Sequence, residues 1–123
     1  MIRKVEEQLR MERENVCGGT GKAHLLELFS AEEMEGRARM FQHITLEPGA
    51  SFGAHRHFDE AEMYYVLRGE LVSGEPGERE VLHAGDATLT GSGKAHFLRN
   101  ETDAPAEFLA IILGVGSVEN ITD

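Results

Sequence analysis

His55 and His57 stand two residues apart, Glu62 follows five residues later, and His96 lies far downstream. In an extended strand the side chains at i and i+2 share a face. Both imidazoles therefore project together while Arg56 points away. The segment Phe58-Asp59-Glu60-Ala61 is long enough for the chain to bend and bring Glu62 back as a carboxylate ligand at the start of the next strand. His96 supplies a third imidazole from a distant strand. Three neutral imidazoles and one carboxylate form a mixed nitrogen and oxygen donor set, suited to one divalent transition metal: Mn, Fe, Co, Ni or Zn. Zinc is satisfied by four ligands, whereas the others accept six and leave two positions for water, dioxygen or a bidentate substrate.

The elements that must position these donors are strands. Beyond residue 22 the chain is a succession of short apolar or alternating runs, at 23–29, 37–46, 62–68, 70–73, 79–83, 87–90, 94–99 and 106–113, separated by Gly, Pro, Asp and Asn. This spacing predicts an all-β sandwich or barrel. Only Ala31 to Glu35, with Ser30 as N-cap, reads as a helical turn. No long amphipathic helices alternate with the strands, which excludes a parallel α/β sheet. Residues 1–16, built around Ile2, Val5, Leu9 and Val16, read as a short helix or an extended arm. Gly18-Gly19-Thr20-Gly21-Lys22 lacks the gap and the hydroxyl residue of a phosphate loop and reads as a plain turn. The expected organisation is an N-terminal arm at 1–21 and one barrel domain at 22–123.

Around the four donors, glycines recur in register: Gly49 before the first cluster, Gly69 after it, then Gly85, Gly91 and Gly93 leading to His96 and Asn100. These two segments resemble the paired motifs of the cupin superfamily. The first fits at Gly49, His55, His57, Glu62 and Gly69. The second fits at Gly85, Gly93, His96 and Asn100, and departs at Gly91, where the family commonly has proline. The spacing between the motifs resembles the small single-domain members, which as a class tend to be homodimers. The resemblance implies a double-stranded β-helix, or jelly-roll, with a metal inside its wider mouth. His55, His57, Glu62 and His96 would be the ligands. Asn100 and the glycines would be turn residues.

Composition bounds the partners. A formal charge of −10 disfavours a phosphate backbone or an anionic bilayer. Neither nucleic acid nor membrane is expected as a partner. No apolar run approaches the roughly 18 residues of a bilayer span, and the N-terminus alternates charge where a signal peptide would be apolar. A single cysteine, Cys17, reads as packing. A cytoplasmic setting follows. The acidic residues after Arg99 (Glu101, Asp103, Glu107, Glu119 and Asp123) read as a solvated end, and Asp59-Glu60 as an acidic bend facing solvent.

Strand parity assigns the remaining candidates. In 40–46, Met40, Ile44 and Leu46 share the apolar phase, which leaves Gln42 as the polar side chain pointing inward toward a metal-bound water or substrate. Tyr64 and Val66 share the phase of Glu62, so the Tyr64 hydroxyl is expected near the metal. Phe52 and Phe97 either shape the pocket or fill the core. His24, His43 and His83 fall outside the motifs. Met63, Tyr65 and Leu67 are also apolar, as are both phases of 106–113 apart from Glu107, and strands apolar on both faces need cover on both. A homodimer through barrel strands is the expected cover.

The leading functional reading is a metal-dependent enzyme acting on a small oxygen-rich metabolite, by dioxygenase, decarboxylase, isomerase or lyase chemistry. Its rival is a non-catalytic module that binds a sugar or carboxylate at the same metal. A third reading is a barrel stabilised by its ion alone.

Overall fold

In the computed structural model, which describes residues 1–121, nine strands form one antiparallel sheet. Thr122 and Asp123, at the end of the expected domain, lie outside the described residues. The strands are β1 (Leu9–Glu14), β2 (Lys22–Phe29), β3 (Ala38–Leu46), β4 (Ser51–Arg68), β5 (Leu71–Gly74), β6 (Glu80–Leu82), β7 (Ala87–Thr90), β8 (Ala95–Arg99) and β9 (Ala106–Asn120). They hydrogen-bond in the order β1-β2-β3-β9-β4-β8-β5-β6, with β7 on the second half of β4. Alternation sets the two faces. Leu25, Ile44, Leu46, Phe52, Tyr64, Val66, Leu98, Phe108 and Ala110 turn inward and form the core. Burial of these side chains is worth about 1.5–3 kcal/mol for each large one, which holds the barrel closed around its inner face.

The N-terminal residues take the extended alternative. Leu9–Glu14 pairs along β2 from Leu9↔Glu27 to Glu14↔Lys22, after a single 3-10 turn at Val5–Glu7. The helical turn after Ser30 is present as a turn. Ser30 Oγ accepts from the Glu33 N–H while the Glu33 carboxylate accepts from the Ser30 N–H, the reciprocal arrangement of a capping box.

Two stretches differ from the sequence expectation. The expected acidic end after Arg99 is largely structural: β9 runs to Asn120, between β3 and β4, and Glu107 meets His43 and Arg68. Alternation within 114–120 is diluted by Gly114 and Gly116, so composition alone misses the strand. The glycines are required there, because a Cβ on Gly116 would lie 1.8 Å from the Phe58 carbonyl oxygen. The second stretch is the bend before Glu62. The chain does not turn into a new strand; β4 continues from Ser51 through Arg68, and Asp59 at φ +61° makes a bulge that shifts its register against β9.

The outer face of the sheet is also apolar. Phe29, Phe41, Ile111, Met63 and Leu89 form one cross-strand row from β2 to β7. Tyr65, Leu67 and Leu113 beside it are exposed.

Asn100 closes the β8 end as a buried turn residue. Its Nδ2 donates to the carbonyls of Leu46 and Ala104, and its Oδ1 accepts from the backbone and side chain of Thr102. Asn100→Ala is expected to lower stability by about 1–3 kcal/mol through these unpaired buried groups, read as a shifted urea midpoint with unchanged slope.

Candidate metal centre

β4 carries three of the four donors and β8 the fourth. His55 pairs directly with His96 across the β4–β8 ladder, and the Asp59 bulge re-aims the strand so that Glu62 faces the same interior as His55 and His57. All four are buried, and one donor atom from each lies within 4.8 Å of the other three, a group that could hold a metal ion. The Nε2 of His96 is 2.8 Å from that of His55 and 3.2 Å from that of His57. Glu62 Oε1 stands 3.0, 3.1 and 3.7 Å from the Nε2 atoms of His57, His96 and His55. Donors sharing one ion at about 2.1 Å lie about 3.0–3.4 Å apart, which matches the spacing here.

The outer nitrogens explain why these atoms converge. His55 Nδ1 donates to the Gly53 carbonyl at 2.7 Å, His57 Nδ1 to Glu60 Oε1 at 2.8 Å, and His96 Nδ1 lies 2.9 Å from the Thr90 hydroxyl. A proton held on each Nδ1 leaves each Nε2 with its lone pair turned inward, the arrangement that outer partners impose on metal-binding imidazoles. Three lone pairs and a buried carboxylate then face one point. Burial opposes a charge on His55, but Cys17, Glu62 and the Gly53 carbonyl around it raise its pKa to about 10. His57 is raised through Glu62 and Glu60 against the same burial penalty, and His96 is lowered by burial. Glu62, despite burial, is held well below the usual carboxylate range by the three imidazoles.

Glu60 is where the sequence reading fails. Expected on a solvent-facing bend, it is 4% exposed. Its carboxylate accepts Arg39 Nε at 2.9 Å and Nη2 at 2.7 Å, His57 Nδ1, and the Gly116 N–H at 3.0 Å. Burial raises its pKa, and these donors outweigh that and lower it to about 2. Its partners come from β3 and β9, distant in sequence, so no local pattern marks it. Cys17 is the second omission. Expected as packing, it lines the cavity together with His55 and is among the groups that raise the His55 pKa. The Val16–Gly18 turn is clamped against β4, since a Cβ on Gly53 would meet the Cys17 carbonyl oxygen at 2.2 Å.

The other sequence candidates divide clearly. Tyr64 is buried, stacks on the His96 ring with centroids 5.3 Å apart, and donates to Glu62 Oε1 at 3.1 Å. Burial and the Glu62 charge raise its pKa well above the usual phenol value, so it stays a donor. Gln42 faces inward, 8% exposed, with its Oε1 unpaired. Phe52 packs edge-on against Phe108 at the site, whereas Phe97 lies beneath the Arg99 guanidinium away from it. His24, His43 and His83 pair with Glu47, Glu107 and Glu70 outside the cluster. A cavity of about 360 Å³ opens on the cluster, lined by His55, His57, Glu62, Tyr64, Gln42 and Cys17, with Arg13, Arg39, Asn120 and apolar side chains around them.

The family model for the cupin domain matches residues 42–112, which contain all four donors. The chain is a cupin. Among its relatives, the oxalate-binding protein of Thermotoga maritima is 40% identical over 99 residues, covering 80% of this chain and 82% of that protein. The crystal structure of a predicted oxalate decarboxylase from Thermotoga maritima superposes with a TM-score of 0.88 at 36% identity, covering 94% of this chain and all of that one. A cupin sugar phosphate isomerase from Silicibacter pomeroyi shares the fold at 20% identity, with a TM-score of 0.77, covering all of this chain and 83% of that one. The double-stranded β-helix expected from the two motifs is thus the fold of this cupin.

Glu60→Gln keeps the shape of the side chain but removes the charge that fixes the His57 ring. Metal affinity is expected to fall about 10- to 100-fold, measured by competition with a chelator. Because the folded pKa of Glu60 is depressed, its contribution to stability is present above the unfolded value of 4.5 and is lost as pH falls toward about 2. The metal-free variant is therefore expected to be less stable than wild type by about 1–3 kcal/mol at pH 7, with a flatter loss between pH 4.5 and about 2 in urea titrations.

Proposed function

We propose that this cupin holds one divalent transition metal, Mn, Fe, Co, Ni or Zn, through His55, His57, Glu62 and His96, and uses it to act on a small oxygen-rich carboxylate. The observation that carries this is the convergence of three imidazole lone pairs and one buried carboxylate, each imidazole fixed from behind by Gly53, Glu60 or Thr90. When bound, the metal supplies Lewis-acid polarisation of the carboxylate or, if it is iron, a site for dioxygen activation. The chain's own residues bind and orient. Tyr64 keeps its proton and fixes Glu62; Gln42 lines the cavity with its amide oxygen buried; Arg39 is committed to Glu60. Among the described residues, Glu62 is the sole carboxylate lining the cavity. This supports decarboxylase or dioxygenase chemistry, which the metal drives, over isomerase or lyase chemistry, which needs a separate general base. The name of the oxalate-binding relative favours oxalate-like dianions as ligands, and also favours the second reading, binding without turnover.

The test begins with protein purified without tag or added ion. It is expected to contain about one transition metal per chain, which His55→Ala and His96→Ala lose and His83→Ala retains. Unchanged metal in all three variants would overturn the assignment. For the manganese-loaded protein, oxalate at about 100 times its Kd is expected to raise Tm by about 10 °C. Release of carbon dioxide from oxalate identifies an enzyme, and binding without release identifies a binding module.

A second copy of the chain is the proposed cover for the outer face built on Phe29, Phe41, Ile111, Met63 and Leu89, since apolar faces of this extent mark association surfaces. A cytoplasmic setting is part of the same reading. Mass measurement in solution at micromolar concentration is expected to give a homodimer, and a single-chain mass would sink the proposal.

A further inference from the structure

Two features of the cavity narrow the ligand that the four-residue cluster can take, and a third sets its charge. The first is the wall. Leu25, Met40, Ile44, Phe52 and Ile112 line the space around the cluster, and at about 360 Å³ the cavity has room for roughly a dozen waters at the volume each takes in the liquid. A two-carbon ligand at the four donors would leave that wall facing water, whereas a ligand with an apolar body covers it. The second feature is the Gln42 amide. The side chain is 8% exposed, its Oε1 is closed off from the cavity, and its Nε2, which makes no hydrogen bond among the described residues, is the atom left facing the space. What Gln42 offers a ligand is therefore a donor, and a donor in so buried a place is completed by an acceptor. The third feature is charge. A divalent ion among three neutral imidazoles and the Glu62 carboxylate sums to one net positive charge. Arg39 adds none, because Glu60 cancels it, and Tyr64 keeps its proton. Arg13, the other cation on the lining, is exposed to water, which screens it. One ligand carboxylate balances this interior. A second would be buried against the apolar wall without a partner.

We infer that the cavity is built for a monocarboxylate that carries an oxygen, oxo or hydroxyl, on the carbon next to the carboxylate and a branched or aromatic apolar body beyond it. The carboxylate and the neighbouring oxygen sit at the four-residue cluster, Gln42 Nε2 donates to that neighbouring oxygen, and the body lies against Leu25, Met40, Ile44, Phe52 and Ile112. This rests on the metal-dependent carboxylate site proposed above and narrows its ligand class. Gln42 then separates these acids from the corresponding 2-amino acids. An oxygen bound to a metal keeps a lone pair for the amide N–H, whereas an amine nitrogen gives its single lone pair to the metal and sets N–H against N–H.

Calorimetric titration of the manganese-loaded protein tests the inference by binding alone. The probes are 2-oxo-4-methylpentanoate, its 2-hydroxy and 2-amino counterparts, 2-oxopropanoate, 2-oxopentanedioate and oxalate. The branched oxo and hydroxy acids are each expected to bind about tenfold or more tightly than the amino acid. The branched oxo acid is also expected to exceed, by about tenfold or more, 2-oxopropanoate, which lacks the body, and 2-oxopentanedioate, which ends in a second carboxylate. Gln42→Leu, checked for unchanged manganese content, is expected to lower the oxo-over-amino preference about tenfold while keeping the preference for the branched oxo acid over 2-oxopropanoate. Equal affinity for 2-oxopropanoate and the branched oxo acid overturns the inference, as does 2-oxopentanedioate binding as tightly as the branched acid, or a Gln42→Leu variant that keeps the oxo-over-amino ratio. Binding of oxalate alone also overturns it but leaves the metal-dependent carboxylate site standing. Failure of all six acids to bind overturns both.

Discussion

Everything around the cluster serves one electrostatic constraint: a buried carboxylate and three imidazole lone pairs are held facing one another where solvent cannot separate them. Left uncompensated, such a group would be costly to bury. The protein does not relieve it by moving the donors apart. Gly53, Glu60 and Thr90 fix the imidazoles from behind, and Tyr64 pins Glu62 from the side. Glu60 is itself fixed by Arg39 and the Gly116 amide. The constraint therefore spreads outward through two layers of hydrogen bonds into β3 and β9. A demand for positive charge is built into the barrel before any ligand arrives.

The fold meets this demand by putting most of the chemistry on one strand. β4 carries His55, His57 and Glu62, and it pairs with β8 at its start, with β9 from His55 onward and with β7 from Glu62 to Tyr65. The strand is paired on both sides where the donors His55 and Glu62 stand, which limits its freedom to shift there. The irregularity that the site needs is confined to the bulge at Asp59, where a left-handed residue changes the phase of the strand. On the opposite side of β4, Met63 and Tyr65 belong to the apolar outer face. The same strand thus serves two surfaces through its alternation alone.

How much of this is legible in the sequence follows from the range of the interactions. His55 and His57 are readable because their spacing is the period of a strand, Glu62 because the paired motif marks it although its parity is opposite until the Asp59 bulge changes the phase, and Gln42 and Tyr64 because parity with Ile44 and with Glu62 puts them on the inner face. The glycines at 49, 69, 85 and 93 mark turns that the structure builds with φ values of +78° to +94°. Glu60 and Cys17 are not readable in this way. Glu60 becomes an inner residue only because the bulge changes the phase at Asp59 and because Arg39 and Gly116 arrive from other strands. Cys17 comes to the cavity through a turn whose docking depends on Gly53 having no side chain. The end of β9 was hidden by the glycines that let it pass close to Phe58.

The cavity divides labour between strands. Its donors lie on β4 and β8, whereas Leu25, Met40, Ile44, Ile112 and Val118 belong to β2, β3 and β9, with Phe52 alone shared with β4. Substitutions in the wall can therefore change which molecule fits without touching the four residues that could hold an ion. A barrel partitioned in this way can exchange one chemistry for another by small steps. That separation gives a physical route by which a single scaffold with a fixed centre diversifies across substrates.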